Sequence, residues 1–235
     1  MKISILLISL FIIYHVNFSF THPKKYYSQF EQDKYINEKI FKNKKNGIFF
    51  EIGAYDGILS SNSYYFEKNL DWKGVCVEPI ENLFNRLKRN RKCICINGCI
   101  WNKIGPAKFY KFSHPGGFIF GECGLIDSYD SRQLQKMYER CKNEKNCILT
   151  TLEVHCYKFN DICLQNSISH IDYLSIDTEG SELLILKSID FNNIEIAVIS
   201  VENNYNEPAI QNFLKTKGYK FINRLGVDDI YKKNK

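Results

Sequence analysis

Beyond residue 46, short apolar runs alternate with amphipathic stretches. Residues 48–53 (IFFEIG) form an apolar run ending in glycine, the pattern of a buried strand. Residues 60–69 read as a helix with Ser or Asn available as its cap. Residues 74–78 (GVCVE) predict a second strand, stopped by Pro79. In Glu81–Asn90, Leu83, Phe84 and Leu87 share one stripe, which predicts an amphipathic helix. Residues 93–97 predict a third strand, and the alternation in 107–112 an additional one. Residues 113–150 carry scattered glycines and read as irregular, apart from a polar helix near 131–142. A short helix is expected over 157–164.

Regularity returns at residues 171–177 (IDYLSID), a strand, followed by a helix over Glu182–Ser188. Residues 194–202 (IEIAVISVE) are the most convincing central strand. Pro208 opens a helix running to residue 217, with proline where its missing N–H costs least. Tyr219–Leu225 and residues 229–232 predict a hairpin around Gly226. Strands alternating with helices imply a parallel sheet covered on both faces, with the hairpin as an antiparallel edge.

The N-terminus has a different pattern. Lys2 precedes an apolar run from Ile3 to Val16, broken only by Ser4, Ser9, Tyr14 and His15. That is the layout of a secretory signal peptide. With Phe18 and Phe20 counted, the run approaches the length of a membrane span, so a type II signal anchor stays open beside cleavage. A buried N-terminal helix is the remaining alternative. The expected organisation is thus a targeting segment at 1–20, a partly helical lead-in at 21–46, and one domain at 47–235 with an irregular insertion at about 113–150. The expected location is the secretory lumen or outside the cell, with membrane contact only through that N-terminal segment.

Composition narrows the class. In 235 residues, 44% are hydrophobic and 14% aromatic, enough for a sizeable core. The net charge of +6 is mild, and the cations at 24–25, 42–45 and 86–92 lie near acids or aromatics. This predicts a solvated surface and no nucleic-acid partner. The nine cysteines form no paired CxxC sets, and no metal site is expected. Cys76, Cys93 and Cys95 sit in strand-like runs and read as small core hydrophobes. Cys123, Cys141, Cys147 and Cys156 are the better disulfide candidates in an oxidising lumen. His114, His155 and His170 are scattered and read as surface or satisfied residues.

Candidate chemistry gathers at the strand ends, where open α/β sheets bind ligands. The first strand runs into Glu51-Ile52-Gly53-Ala54-Tyr55-Asp56-Gly57. The second ends in Glu78, 25 residues beyond Gly53, where a carboxylate can accept both hydroxyls of a ribose. The third ends in Asn97, and later strands end in Asp177-Thr178-Glu179-Gly180 and Glu202-Asn203-Asn204. Tyr55 and Ile58 stand where a dinucleotide loop needs glycine, so a pyrophosphate is poorly served. A glycine loop, an acid on the next strand and further acids beyond suit S-adenosylmethionine, which is cationic and carries no phosphate.

These strings resemble the FkbM family of S-adenosylmethionine-dependent methyltransferases. FFEIGAYDGILSSNS is similar to its first motif, and CVEPIENLFNRLKRNR to the ribose motif. DYLSIDTEGSELLILKSIDF carries its distinctive D-x-E-G-x-E, and Tyr27–Asp33 resembles its Ser-Gln…Gln-Asp lead-in. The resemblance implies a class I methyltransferase fold, a Rossmann-like three-layer sandwich. Its mostly parallel seven-stranded sheet ends in an antiparallel C-terminal strand. It also implies O-methylation of a hydroxyl on a sugar or other small-molecule acceptor.

On this reading Glu51, Gly53 and Asp56 serve the methionine end of the cofactor, Glu78 the ribose and Asn97 the adenine. Ser61 and Asn62 match the family's Ser-Asn pair, as helix caps or cofactor contacts. Asp177 is the candidate general base or substrate orienter, unless it caps the following helix. Glu179 and Glu202 are second choices, and Glu179 and Glu182 also read as solvated first-turn acids. Two other classes compete: a secretory-pathway glycosyltransferase using Asp177-Thr178-Glu179, and a non-catalytic luminal trafficking module.

Overall fold

The computed structural model describes residues 26–143 and 147–234, so the targeting segment at 1–20 lies outside the described residues. The strands in chain order are β1 (Ile48–Ile52), β2 (Lys73–Glu78), β3 (Ile94–Asn97), β4 (Cys99–Ile100), β5 (Gly105–Ser113), β6 (Gly124–Leu125), β7 (Ile148–Tyr157), β8 (His170–Ile176), β9 (Glu195–Glu202), β10 (Tyr219–Leu225) and β11 (Asp228–Lys233). The helices are α1 (Gln32–Tyr35), α2 (Tyr64–Leu70), α3 (Glu81–Asn90), α4 (Ser131–Asn143), α5 (Phe159–Gln165), α6 (Glu182–Ser188) and α7 (Pro208–Thr216). A π-helical stretch, Ile36–Phe41, continues α1.

Seven strands form the main sheet in the order β10-β11-β9-β8-β1-β2-β3. β9, β8, β1, β2 and β3 pair in parallel, and β11 is antiparallel to both of its neighbours. This is the three-layer, Rossmann-like class I methyltransferase architecture. The closing hairpin is not a simple antiparallel edge. Its second arm, β11, inserts between β9 and β10. Burial explains the order: Ile230 and Tyr231 of β11 are fully enclosed, whereas β10 exposes Phe221.

Alternation along the strands feeds both faces. Phe50, Ile52, Leu174, Ile176 and Val201 pack with Ile185 and Leu186 on one side. Phe49, Tyr173 and Val198 pack with Phe66 and Trp72 on the other. With all of these buried, each large-to-small change in the set costs roughly 2–5 kcal/mol.

The insertion is more regular than its sequence suggests. β5 pairs antiparallel with β7 from Gly105–Cys156 to Ser113–Ile148, with β4 and β6 outside them in a second sheet, β4-β7-β5-β6. β7 was not expected because its inward residues are interrupted by exposed Thr150, Thr151, Glu153 and His155. Helix α2 starts at Tyr64, four residues later than expected, because Ser61, Asn62 and Ser63 bond the Glu51 carboxylate instead. Cys141 and Cys147 form a disulfide. Cys123 and Cys156 are free thiols: Cys123 donates to the Phe120 carbonyl, and Cys156 pairs with Cys99 across β4 and β7. No helix among the described residues is long and apolar enough to cross a membrane.

Candidate active site

A cavity of about 420 Å³ opens at the carboxyl ends of β1, β2, β8 and β9. The second sheet closes it through Phe109 and Leu125, and the lead-in through Gln29 and Phe30. Phe30 is seated against the hairpin turn, where a Cβ on Gly226 would meet its ring at 2.3 Å. Gln32 donates to Asp228 at 2.7 Å, and Asp33 accepts from the Tyr27 and Ser28 amides. The Ser-Gln…Gln-Asp string thus locks one wall of the cavity.

Several predicted cofactor residues turn out to build the loops rather than face the cavity. Glu51 is buried and accepts from Ser61 Oγ, the Asn62 amide, Ser63 Oγ and Arg91. Asp56 Oδ1 accepts the Ile58 and Leu59 amides and closes the turn. Asn62 donates to Ser175 Oγ. Asn97 donates to the Glu78 and Pro79 carbonyls. None of these four lines the cavity. Ser61 does, yet its Oγ also accepts the Tyr64 amide, a capping role. The partners of Glu51, Asn62 and Asn97 lie ten or more residues away, too far for spacing to reveal.

Gly53 lines the cavity at φ 85°, the left-handed region that favours glycine. A Cβ there would stand 2.0 Å from the Asp177 carbonyl oxygen. The neighbouring strand end by itself already requires glycine there. Tyr55, also left-handed at φ 51°, sends its hydroxyl to the Ile119 carbonyl at 2.6 Å and ties this loop to the insertion.

Glu78 lines the cavity, and its two oxygens accept the Tyr55 and Ile80 amides at 3.0 and 2.8 Å. Burial pushes its carboxyl up to about 8, against those two hydrogen bonds. Beside it, Pro79, Ile80, Leu83 and Phe109 make an apolar wall.

The opposite strand ends bring three acids together. Asp177, Glu179 and Glu202 each place one oxygen within 4.8 Å of the others. All three line a cavity that water reaches, yet protein surrounds them. Burial, then the carboxylates of Asp228, Glu182 and Glu51, pushes Asp177 up to about 8. Burial and mutual repulsion push Glu179 and Glu202 up as well. Asp177 lies five residues ahead of α6, whose N-cap position is Ser181, so it does not cap that helix. Glu182 is not a solvated acid: it is buried and accepts the Thr178 amide and hydroxyl and the Gly180 amide. That grip holds Glu179 at φ 58° with its side chain toward the cavity.

Sequence reasoning missed the walls contributed by the insertion, chiefly Phe118, Phe120, Gln133 and Lys136. The family resemblance places the 113–150 segment where substrate-facing insertions are expected, and the alternation of residues 107–112 signalled a strand beside it, but neither named the lining residues. Among the described lining residues Lys136 is the lone cation, against Glu78, Glu122, Asp177, Glu179 and Glu202.

Residues 51–221 match the Methyltransferase FkbM domain. The chain belongs to the FkbM methyltransferase family. The match spans the glycine loop, Glu78, the second sheet and the acidic strand ends, so the FkbM domain includes the insertion. The FkbM fold is also similar to the crystal structure of a methyltransferase from Pyrococcus furiosus. Identity is 14% over 86% of this chain and 82% of that one, with a TM-score of 0.38, too distant to carry residue roles. Among curated proteins, none matches the FkbM chain in sequence.

Proposed function

We propose that this methyltransferase is S-adenosylmethionine-dependent and methylates a hydroxyl oxygen of a sugar or other small acceptor. The observation that carries the reading is the acidic lining of the cavity, five carboxyl side chains and one lysine. Burial favours the protonated form of four of these carboxyls until a cation enters. Such a site favours a cation and disfavours a pyrophosphate, which counts against the sugar-nucleotide alternative. Its volume of about 420 Å³ is ordinary for a small-molecule site.

The residues fit the cofactor. Each Glu78 oxygen accepts a single amide and keeps lone pairs for ribose hydroxyls. The Pro79, Ile80, Leu83 and Phe109 wall suits a purine face. When bound, S-adenosylmethionine supplies an electrophilic methyl group. The chain's own part is to hold the acceptor in line and to take its proton. Asp177, at the end of β8, is placed to accept that proton on its carboxylate. Phe118, half exposed, and Phe120 offer flat apolar faces at the rim, suited to a sugar ring. The second sheet keeps bulk water from the far wall.

Calorimetric titration of S-adenosylmethionine into the protein tests the reading. One site per chain, weakened by Glu78→Gln, is the expected result; no binding would overturn it. We also propose a luminal or secreted location, supported by the apolar run behind Lys2 and the Cys141–Cys147 disulfide.

A further inference from the structure

We propose that Asp177, Glu179 and Glu202 form a binding site for one divalent cation of the oxygen-seeking class, Mg²⁺, Mn²⁺ or Ca²⁺. The three residues come from two adjacent strand ends, and one oxygen of each lies within 4.8 Å of the others. An all-carboxylate set selects hard cations over zinc or copper. Oxygens ligating one such ion at 2.0–2.6 Å stand about 3–5 Å apart, which matches this spacing without rearrangement of the backbone.

A second observation points to an ion independently of the cluster. Glu179 Oε2 is itself buried and has no hydrogen-bond partner, although the residue lines the cavity. An unsatisfied buried carboxylate oxygen is costly and calls for a partner. Among the described residues no lysine or arginine forms an ion pair with any of the three acids. The loop is nonetheless held in place: Glu182 grips Thr178 and Gly180, and a Cβ on Gly180 would stand 2.4 Å from the Ser128 carbonyl oxygen. The Glu179 side chain is thereby fixed toward the other two acids rather than free to turn to solvent.

Three protein oxygens fill half of an octahedral shell, and the residues that supply them line the cavity. A hydroxyl of the acceptor can enter that shell, where a divalent ion both anchors it and makes it more acidic. An acceptor with two adjacent hydroxyls fills two positions at once and is favoured. This role for the ion rests on the methyltransferase reading above; the binding of the ion itself does not.

Manganese titration of the full chain in the absence of S-adenosylmethionine, followed by electron paramagnetic resonance, tests the site. One bound Mn²⁺ per chain is expected, displaced by excess Mg²⁺ or Ca²⁺. Glu179→Gln and Glu202→Gln are expected to weaken it tenfold or more, and Glu78→Gln to leave it unchanged. A rise in the melting temperature of the wild-type protein with Mn²⁺ is expected whether or not the variants fold. No Mn²⁺ binding by wild-type protein, or equal binding by folded variants, overturns the proposal. So does binding that appears only with a nucleoside diphosphate sugar. Loss of S-adenosylmethionine binding with Mn²⁺ binding intact would overturn the cofactor reading alone.

Discussion

Gly53 lies directly against the backbone of Asp177: a Cβ on Gly53 would meet the Asp177 carbonyl oxygen at 2.0 Å. The Asp177 amide in turn donates to the Ile52 carbonyl at 3.1 Å. The first loop and the acidic loop are therefore one packed unit. Gly53→Ala must relieve both that contact and φ 85°. A cost of at least about 1–3 kcal/mol is expected, read as a lower denaturation midpoint. Equal stability of the two proteins would show that the loops pack otherwise.

Glu51 separates a scaffold role from a cofactor role. Its carboxylate is buried with Arg91 and three hydroxyl or amide donors. Glu51→Gln leaves the Arg91 guanidinium without that partner inside the protein. Arg91 keeps Glu67 at 3.1 Å, so the cost is that of weakening buried hydrogen bonds, about 1–3 kcal/mol, and thermal stability should fall. Affinity for S-adenosylmethionine per folded molecule should change little. A large affinity loss with unchanged stability would return Glu51 to the cofactor.

Glu78 makes stability depend on pH. Its carboxyl is raised to about 8 in the folded protein from an ordinary value of 4.5. Between those values the folded state holds a proton that the unfolded state releases. Stability is therefore full below about 4.5 and is lost as pH rises toward 8, by up to about 1.4 kcal/mol per pH unit. Urea titrations from pH 5 to 8 should show a decline to which Asp177, also raised to about 8, contributes, and Glu78→Gln should make it shallower. Cofactor affinity should rise over the same range, because ribose hydroxyls donate to the ionised form. A pH-independent wild-type profile would contradict the burial of this carboxyl.

Asp177→Asn tests proton acceptance when Mn²⁺ binding is measured beside turnover, because a lost cation ligand would also slow the reaction. Lost turnover with intact Mn²⁺ binding assigns the loss to proton acceptance. The side chain keeps its size and has no helix to cap, so stability should not fall. Turnover on an acceptor should drop by about a hundred- to ten-thousand-fold, with cofactor affinity nearly unchanged. Retention of more than about a third of wild-type turnover would remove Asp177 from proton acceptance and leave catalysis to positioning.

Targeting is read separately. A reporter fused behind residues 1–25 should enter the secretory pathway. Its retention in the cytosol would remove the luminal location.

The pattern of the chain determined the main sheet. Buried parallel strands are continuous apolar runs, so β1, β2, β8 and β9 stand out in isolation. β2 and β9 end in Glu78 and Glu202, and β8 runs directly into Asp177. Glu78 was legible for that reason, as was the general place of Asp177 and Glu202. Tertiary structure decided which acids face a ligand. Glu51 and Asp56 sit in the loop that reads as cofactor-binding, yet nearby amides and hydroxyls claim them, with Arg91 added for Glu51. Glu182 reads as a first-turn acid but is buried because Thr178 and Gly180 fold back onto it. Asp177 and Glu202, 25 residues apart, meet only because β8 and β9 pair in parallel register. Hydrophobic periodicity reports which face of a strand is buried. It carries no information about which strand ends become neighbours, and the convergence of carboxylates depends on that pairing.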